Sequence, residues 1–375
     1  MKYYIIAGEA SGDLHASNLI KSLKHKDAKS EFRCWGGDLM QEQGAVIVKH
    51  YKELAFMGFA EVLMNLRTIL HNINFCKNDI KEYQPDLVIL VDYPGFNLRI
   101  AEYVKSLNIK VFYYICPQVW AWKQSRIKIL KKFVDKMFVI LPFEKDFYAK
   151  HAMQVDFEGH PLLDAVDTKS DSTIGQNFRK ENDLSEKPII ALLPGSRNQE
   201  ISKMLGLMSL LPARFPDFQF VIAGTKHFST DYYLQKMNDK NSRIVKNQTY
   251  NLLRNSVAAV VASGTATLET ALFNVPQVVC YKGNPVSIFI GKILVKIKFI
   301  SLVNLILDRK VVSELIQEDF NFENLSRELE LILPGNKERK IMLDEYQILF
   351  GQLGGKGVSE RIAEKMYVYL TDNNA

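Results

Sequence analysis

Two carboxylates stand directly behind apolar runs that read as buried strands. Glu9 follows Tyr3–Ala7 in the loop Gly8-Glu9-Ala10-Ser11-Gly12-Asp13, and Asp92 follows Leu87–Val91 in Asp92-Tyr93-Pro94-Gly95-Phe96-Asn97. An acid at a buried strand end is costly to desolvate unless it is used or paired. Desolvation raises a carboxyl above its usual pKa of about 3.9, toward the range that suits a general base. Asp92 is therefore a candidate base. Each loop also has a plainer reading. Ser11 or Asp13 could cap the helix that follows the first strand. Asp92 could cap the helix after it, though Asn97 is better placed.

The second half carries groups suited to an anion. The run Ala258–Ala262 leads into Ser263-Gly264-Thr265-Ala266-Thr267-Leu268-Glu269. A glycine followed by hydroxyl residues at a helix start offers free N–H groups and the positive dipole end, an arrangement that binds phosphate. Glu269, about a turn further on, could accept two hydrogen bonds from a ribose diol. Ile189–Leu193 ends in Pro194-Gly195-Ser196-Arg197, and Arg197 could meet a pyrophosphate with paired donors. A capping box and a solvated arginine are the competing readings.

Several chemistries lack their motifs. The chain has no GxGxxG, no GxxxxGK[ST] and no HExxH, so the dinucleotide fingerprint is absent and a P-loop NTPase and a catalytic zinc are disfavoured. It has no GxSxG, which removes the α/β-hydrolase elbow. A DxD that would hold a divalent cation on a diphosphate is also missing. No metal or other cofactor is called for. His160, in GHP, reads as a hinge or packing residue.

These loops need a scaffold, and the apolar pattern supplies one. In the first half, strands are expected at Tyr3–Ala7, Phe32–Trp35, Leu87–Val91, Lys110–Ile115 and Lys136–Ile140. They alternate with helical patterns at Leu14–Lys24, Ala55–Tyr83, Asn97–Leu107 and Gln124–Phe133. Leu87–Val91 is apolar at every position, as a central parallel strand should be. The pattern pauses from about Gly159 to Pro188. It restarts with strands at Ile189–Leu193, Phe218–Ala223, Arg243–Val245, Ala258–Ala262 and Gln277–Cys280. Alternation of this kind predicts two doubly wound α/β units with parallel sheets. Ligands of open α/β sheets lie beyond the carboxyl ends of the strands. The expected domains are residues 1–165, a linker at 166–187, a second domain at 188–335 and C-terminal helices at 336–375. These last helices could pack back on the first domain.

The length of 375 residues fits two domains. Hydrophobic residues make up 47% and charged residues 24%, values that exclude general disorder. A net charge of +6 is too small to argue for nucleic acid. The four cysteines lie far apart, without CxxC spacing, so neither a zinc site nor a disulfide framework is suggested. No uninterrupted apolar run reaches the ~18 residues of a membrane span. Two stretches are nevertheless rich in apolar residues, Leu54–Phe75 and Val286–Leu307. No acid occurs from Thr270 to Leu307, while Lys282, Lys292, Lys296 and Lys298 do. Such surfaces suit an anionic bilayer; a buried helix pair with snorkelling lysines is the alternative.

Taken in order, AGEASGD (Ala7–Asp13), DYPGFN (Asp92–Asn97), PQVWAW (Pro117–Trp122), LPFEK (Leu141–Lys145), LPGSRNQEI (Leu193–Ile201), ASGTATLE (Ala262–Glu269), SLVNLIL (Ser301–Leu307) and SELIQ (Ser313–Gln317) resemble the lipid-A-disaccharide synthase family. These are inverting glycosyltransferases of the two-domain GT-B type, with the domains facing across a cleft. The resemblance implies transfer of 2,3-diacylglucosamine from its UDP donor to the 6-hydroxyl of 2,3-diacylglucosamine 1-phosphate. It implies release of UDP without a metal. The family's functional positions match Glu9, Asp92, Arg197, Glu269 and Asn304. Asp92 is then the expected base, with Glu9 as second choice or orienting partner. Arg197, Gly264, Thr265, Thr267, Glu269 and Asn304 are expected at the UDP-sugar. Gly95 departs from the pattern, since many members have a second Asp there; Val303 departs where Pro is common. A cytoplasmic enzyme, peripheral on the inner face of the inner membrane, is implied, and a homodimer is compatible. A UDP-N-acetylglucosamine 2-epimerase and a non-catalytic nucleotide-sugar binder are the rival readings.

Overall fold

The alternation of apolar runs and helical patterns folds into two parallel sheets. The computed structural model describes residues 1–54, 66–121, 123–166, 172–283 and 298–372. The chain divides into two compact units, Met1–Ala165 with Leu353–Ala375, and Val166–Gln352.

The first unit contains β1 (Lys2–Ala7), β2 (Glu31–Gly36), β3 (Val46–His50), β4 (Leu87–Val91), β5 (Lys110–Tyr114), β6 (Lys136–Val139) and β7 (Asp156–Phe157). Their order is β3-β2-β1-β4-β5-β6-β7, and every pair is parallel. Side chains alternate across a strand, so the continuous apolar runs feed two cores at once. Tyr4, Ile6, Val88 and Leu90 point to one face, where they pack with helices Leu66–Tyr83, Pro94–Ser106 and Ile127–Phe133. Tyr3, Ile5, Leu87, Ile89 and Val91 point to the other, against helices Ala10–Lys26 and Val358–Thr371. Each such side chain, fully buried, contributes about 1.5–3 kcal/mol.

The second unit contains β8 (Ile189–Leu193), β9 (Gln219–Gly224), β10 (Arg243–Lys246), β11 (Ser256–Ala262), β12 (Gln277–Tyr281) and β13 (Ser313–Ile316). The order β10-β9-β8-β11-β12-β13 repeats the winding of the first sheet. In each sheet the first strand and the fourth in that winding lie side by side, and the connections reverse direction between them. Those reversal points are β1/β4 and β8/β11. They are where loops splay apart and ligands enter.

The C-terminal helix belongs to the first unit. Val358, Ile362, Ala363 and Met366 are buried in its core. Asp164 accepts from the N–H groups of Gly357 (2.7 Å), Val358 (3.2 Å) and Ser359 (2.7 Å) and so caps that helix. The His160 N–H donates to the Leu353 carbonyl at 2.9 Å. Gly159 has φ +117°, and a Cβ there would meet the Leu353 carbonyl oxygen at 2.8 Å, so only glycine permits this close crossing.

Candidate functional site

In the first unit, register places Ala7 beside Val91, so Gly8-Glu9 and Asp92-Tyr93 leave the sheet together. Asp92 and Tyr93 are both left-handed, with φ +45° and +47°. Two such residues in a row are strained without glycine, and the surroundings explain how they persist. The Asp92 carbonyl accepts from the Tyr113 hydroxyl at 2.6 Å and from Asn97 Nδ2 at 2.7 Å. The Asp92 N–H donates to the Tyr114 carbonyl at 3.3 Å. Asn97 Nδ2 also approaches the carbonyls of Val91 (3.3 Å) and Ile6 (3.4 Å), tying β1 to β4. Asn97 is thus a buried clamp in the first helical turn; the helix cap is Tyr93.

The Tyr93 ring stacks on Phe96 at 5.5 Å between centroids and covers Gly8. A Cβ on Gly8 would lie 2.4 Å from that ring. Glycine is required here for close approach. Glu9 precedes helix Ala10–Lys26, extended (φ −144°) and exposed to solvent. Burial, and then the charge of Glu9, push the Asp92 carboxyl from 3.8 up to about 6. Both causes favour the neutral acid. The result is a carboxyl poised to take a proton near neutral pH. At Gly95 a side chain would meet nothing within 4 Å, so the place where many family members carry an acid is open space.

Asp13 does not cap its own helix. It accepts from the N–H groups of Gly37 (2.7 Å), Leu39 (3.2 Å) and Met40 (3.2 Å) and so caps Asp38–Glu42, fixing the loop after β2. Glu144, in LPFEK, is a buried brace. Its carboxylate accepts from the N–H groups of Ile140 (3.1 Å) and Leu141 (2.9 Å), and burial pushes it up to about 7. His160 is buried, as its packing role requires, and burial holds its imidazole at about 3.

In the second unit Leu193 pairs with Val261, which brings Pro194–Arg197 beside Ser263–Thr267. Arg197 is 59% exposed and precedes helix Asn198–Met208. Glu200 accepts from the N–H groups of Ser196 (3.0 Å) and Arg197 (3.2 Å). Its carboxylate lies 3.8 Å from the Arg197 guanidinium, leaving most of the fork's donors for a ligand. Gly264 has φ 158° and ψ −162°, a region open essentially to glycine alone. Gly264 has no side chain to cap the helix Thr265–Leu272 that follows, and the Thr267 N–H turns back to the Gly264 carbonyl at 3.2 Å, so among the described residues the N–H groups of Thr265 and Ala266 are left for solvent or a ligand. Thr265 is exposed. Burial raises the Glu269 carboxyl, which accepts from the Tyr250 hydroxyl at 3.4 Å.

Thr267 and Asn304 are used internally. Thr267 is fully buried; its hydroxyl donates to the Gly264 carbonyl (2.8 Å) and accepts from the Leu302 N–H (3.4 Å). Asn304 is also fully buried. Its Oδ1 accepts from Val311 and Val312 N–H groups at 2.8 and 2.9 Å, and its Nδ2 donates to the Val312 carbonyl (2.9 Å) and Glu314 Oε1 (2.8 Å). An amide has no further capacity beyond two donors and two lone pairs. Glu314 accepts in addition from Ile300 (2.9 Å) and Ser301 (3.0 Å) N–H groups. Ser263 donates to the Ile300 carbonyl at 2.9 Å, which links this network to the β11 loop. Val303 lies in the first turn of helix Leu302–Leu307, where a missing N–H costs little, so valine and proline both fit.

The apolar stretches divide. Residues 55–65 and 286–297 lie outside the described residues, and with them Leu63, Lys292 and Lys296. Leu54 is buried, while helix Leu66–Tyr83 exposes Leu70 (52%) and Phe75 (42%). Val303, Ile306 and Leu307 are core residues, so the end of the second stretch is packed inside. Lys282 is exposed, and Lys298 pairs with Asp308 at 3.1 Å on the surface. Among the described residues no helix is long and apolar enough to cross a membrane.

Residues 3–365 match the family model of lipid-A-disaccharide synthetase. The chain belongs to the lipid-A-disaccharide synthase family. Proteins named lipid-A-disaccharide synthase from Coxiella burnetii (strain Dugway 5J108-111) and Syntrophus aciditrophicus (strain SB) are 36% and 38% identical. The first alignment covers 97% of both chains, the second 96% of this chain and 95% of its relative. Among solved structures, a UDP-GlcNAc 2-epimerase from Neisseria meningitidis bound to UDP-GlcNAc superimposes with TM-score 0.69 at 12% identity. It aligns over 98% of this chain and 100% of its own. A glycosyltransferase from Rickettsia africae ESF-5 superimposes with TM-score 0.58 at 14% identity, over 99% of each. These likenesses show the fold, that of GT-B glycosyltransferases and epimerases. Membership of the lipid-A-disaccharide synthase family makes the chain a glycosyltransferase of lipid A biosynthesis.

Proposed function

We propose that the chain joins two diacylated glucosamines, with the proton chemistry on its first unit and the nucleotide on its second. The donor is UDP-2,3-diacylglucosamine, the acceptor 2,3-diacylglucosamine 1-phosphate, and the products are the β-1,6-linked disaccharide 1-phosphate and UDP. The Asp92 carboxylate removes the proton from the acceptor 6-hydroxyl as that oxygen attacks the anomeric carbon. Attack from the face opposite UDP inverts the configuration in a single displacement, which needs one base. Glu9 orients the acceptor and sets the basicity of Asp92. Arg197 and the N–H groups at Gly264 and Thr265 meet the diphosphate and stabilise the charge that develops on it as it leaves. Glu269 accepts from the ribose hydroxyls. Thr267 and Asn304 hold these groups in place through the loops they brace.

The observation that carries this reading is the Asp92 carboxyl at the end of β4, pushed up to about 6 by burial and by Glu9. Substrates with acyl chains reside at a bilayer, so a peripheral site on the inner face of the inner membrane follows, with Leu70 and Phe75 as described apolar contacts. A homodimer belongs to the same reading and is tested by sedimentation velocity. The decisive assay mixes purified protein with both diacylated substrates, with and without EDTA, and identifies the product by mass spectrometry. Disaccharide 1-phosphate with stoichiometric UDP in both arms is expected. Epimerised UDP-N-acetylglucosamine, or no reaction until a divalent cation is added, would contradict it.

A further inference from the structure

Away from the catalytic loops the first unit holds a cavity of about 590 Å³. Much of its wall is formed by the turns that precede β6 and β7, at the amino ends of those strands. Glu9 and Asp92 leave the opposite, carboxyl end of the sheet. Lys131, Lys136 and Lys145 line the cavity, together with apolar Val134, Met137, Met153 and Val155.

Its two acids are already satisfied. Asp135 accepts from Lys105 Nζ at 2.5 Å and from the Val111 N–H at 2.8 Å. Asp156 is held by Lys365 at 2.6 Å and the Tyr369 hydroxyl at 3.1 Å. The lysines are not matched in the same way. Lys136 lies 3.8 Å over the Tyr369 ring, and Lys131 and Lys145 have no ion-pair or hydrogen-bond partner among the described residues. Between residues 123 and 154, eight Lys and Arg face three Asp and Glu, a surplus of five within a chain whose net charge is +6. One of those three acids, Glu144, is buried.

Helix Ile127–Phe133 ends at this cavity. It buries Ile127 and Leu130 and turns Lys128, Ile129, Lys131 and Lys132 outward, with Ile129 37% exposed. It covers the same sheet face as helix Leu66–Tyr83, which exposes Leu70 and Phe75. Cations interleaved with exposed apolar groups over a half-apolar cavity match an anion joined to a hydrocarbon chain. A free phosphate would leave the apolar wall without a partner.

We propose that this cavity receives the phosphate headgroup of an anionic bilayer lipid, with helix Ile127–Phe133 lying on the bilayer surface. The bound lipid is not the acceptor, because the cavity opens at the end of the sheet away from Asp92. The proposal deepens the peripheral-membrane part of the reading above and does not depend on which sugar is transferred.

Co-sedimentation of the full chain with phosphatidylcholine vesicles, with and without phosphatidylglycerol, tests it. A lysine at an anionic surface strengthens association about fivefold, so Lys131→Gln with Lys145→Gln should weaken binding to the anionic vesicles about 25-fold. Binding to neutral vesicles and turnover of detergent-dispersed substrates should stay as in the unaltered protein. Equal binding of both proteins to anionic vesicles would overturn the proposal. So would a loss on Leu70→Ser that the lysine double variant does not share, which leaves only an apolar contact. Tight binding of inorganic phosphate that vanishes in the double variant would make this a soluble-anion site and overturn it too. Absence of disaccharide synthesis with lysine-dependent vesicle binding intact would sink the functional reading and leave the lipid site standing.

Discussion

At the ends of β1 and β4 the first unit presents two carboxylates beside a stacked tyrosine. At the ends of β8 and β11 the second presents a guanidinium, a glycine and uncapped helix N–H groups. The windings are alike, and the loops differ in charge and in how they are held. The first stores backbone strain at Asp92 and Tyr93, pinned by Asn97 and Tyr113. The second is relaxed apart from its glycines, and a buried amide and a half-buried carboxylate brace it through Asn304 and Glu314. A desolvated acid and a donor-rich helix start need opposite electrostatics. Placing each at its own sheet reversal lets one winding serve both.

If the two loops divide the work, damage to one should spare the other. Among variants that leave both carboxylates in place, the largest effect is expected for Gly8→Ala, whose Cβ would lie 2.4 Å from the Tyr93 ring. Displacing that ring moves the Asp92 backbone, so kcat should drop by about 10²-fold, the contribution of a positioned general base. Calorimetric UDP affinity should hold. Loss of both together would break the division. Arg197→Ala should do the reverse. A charge-assisted contact contributes about 1.5–3 kcal/mol, so UDP should bind about 10- to 100-fold more weakly. The acid limb of the kcat/KM profile should stay put.

The smallest effect concerns that limb. Because the base must be ionised, kcat/KM should fall as pH drops through about 6. Burial is the larger cause of the raised value and the Glu9 charge the second. Glu9→Gln should therefore shift the limb to lower pH by less than the full displacement from 3.8, with the limb retained. A limb that does not move would remove Glu9 from the electrostatics of Asp92.

Strands such as β1, β4, β8 and β11 were legible because their residues are apolar on both faces. β3 was not, since it is an edge strand only half buried, and β13 hides behind the polar sequence SELI. Glu9, Asp92, Arg197 and Gly264 could be named because an acid, an arginine or a glycine just past a buried strand is chemically conspicuous. Roles that rest on distant partners could not be read. Asn97 grips a carbonyl 91 residues away, and Asp13 caps a helix that begins 25 residues on. A buried amide with all four bonds spent, as at Asn304, looks in sequence like one available to a sugar. The conformation of Tyr93 over Gly8 likewise exists only once β1 and β4 lie side by side.

Asp92→Asn tests the central claim most directly, measured for turnover, UDP affinity and thermal stability on one preparation. The amide cannot accept the proton, so kcat should fall at least about 10²-fold while UDP binds as before. The sign of the stability change follows from the raised carboxyl. Its folded pKa, about 6, lies above 3.8, so ionisation costs stability above pH 6 and nothing below pH 3.8. At pH 7.5 Asp92→Asn should therefore be more stable by about 1–3 kcal/mol, a gain that fades between pH 6 and 4. An inactive, stabilised protein that still binds UDP is the expected result. Near-normal turnover by Asp92→Asn, with Glu9→Gln inactive, would contradict the account and move the base to Glu9.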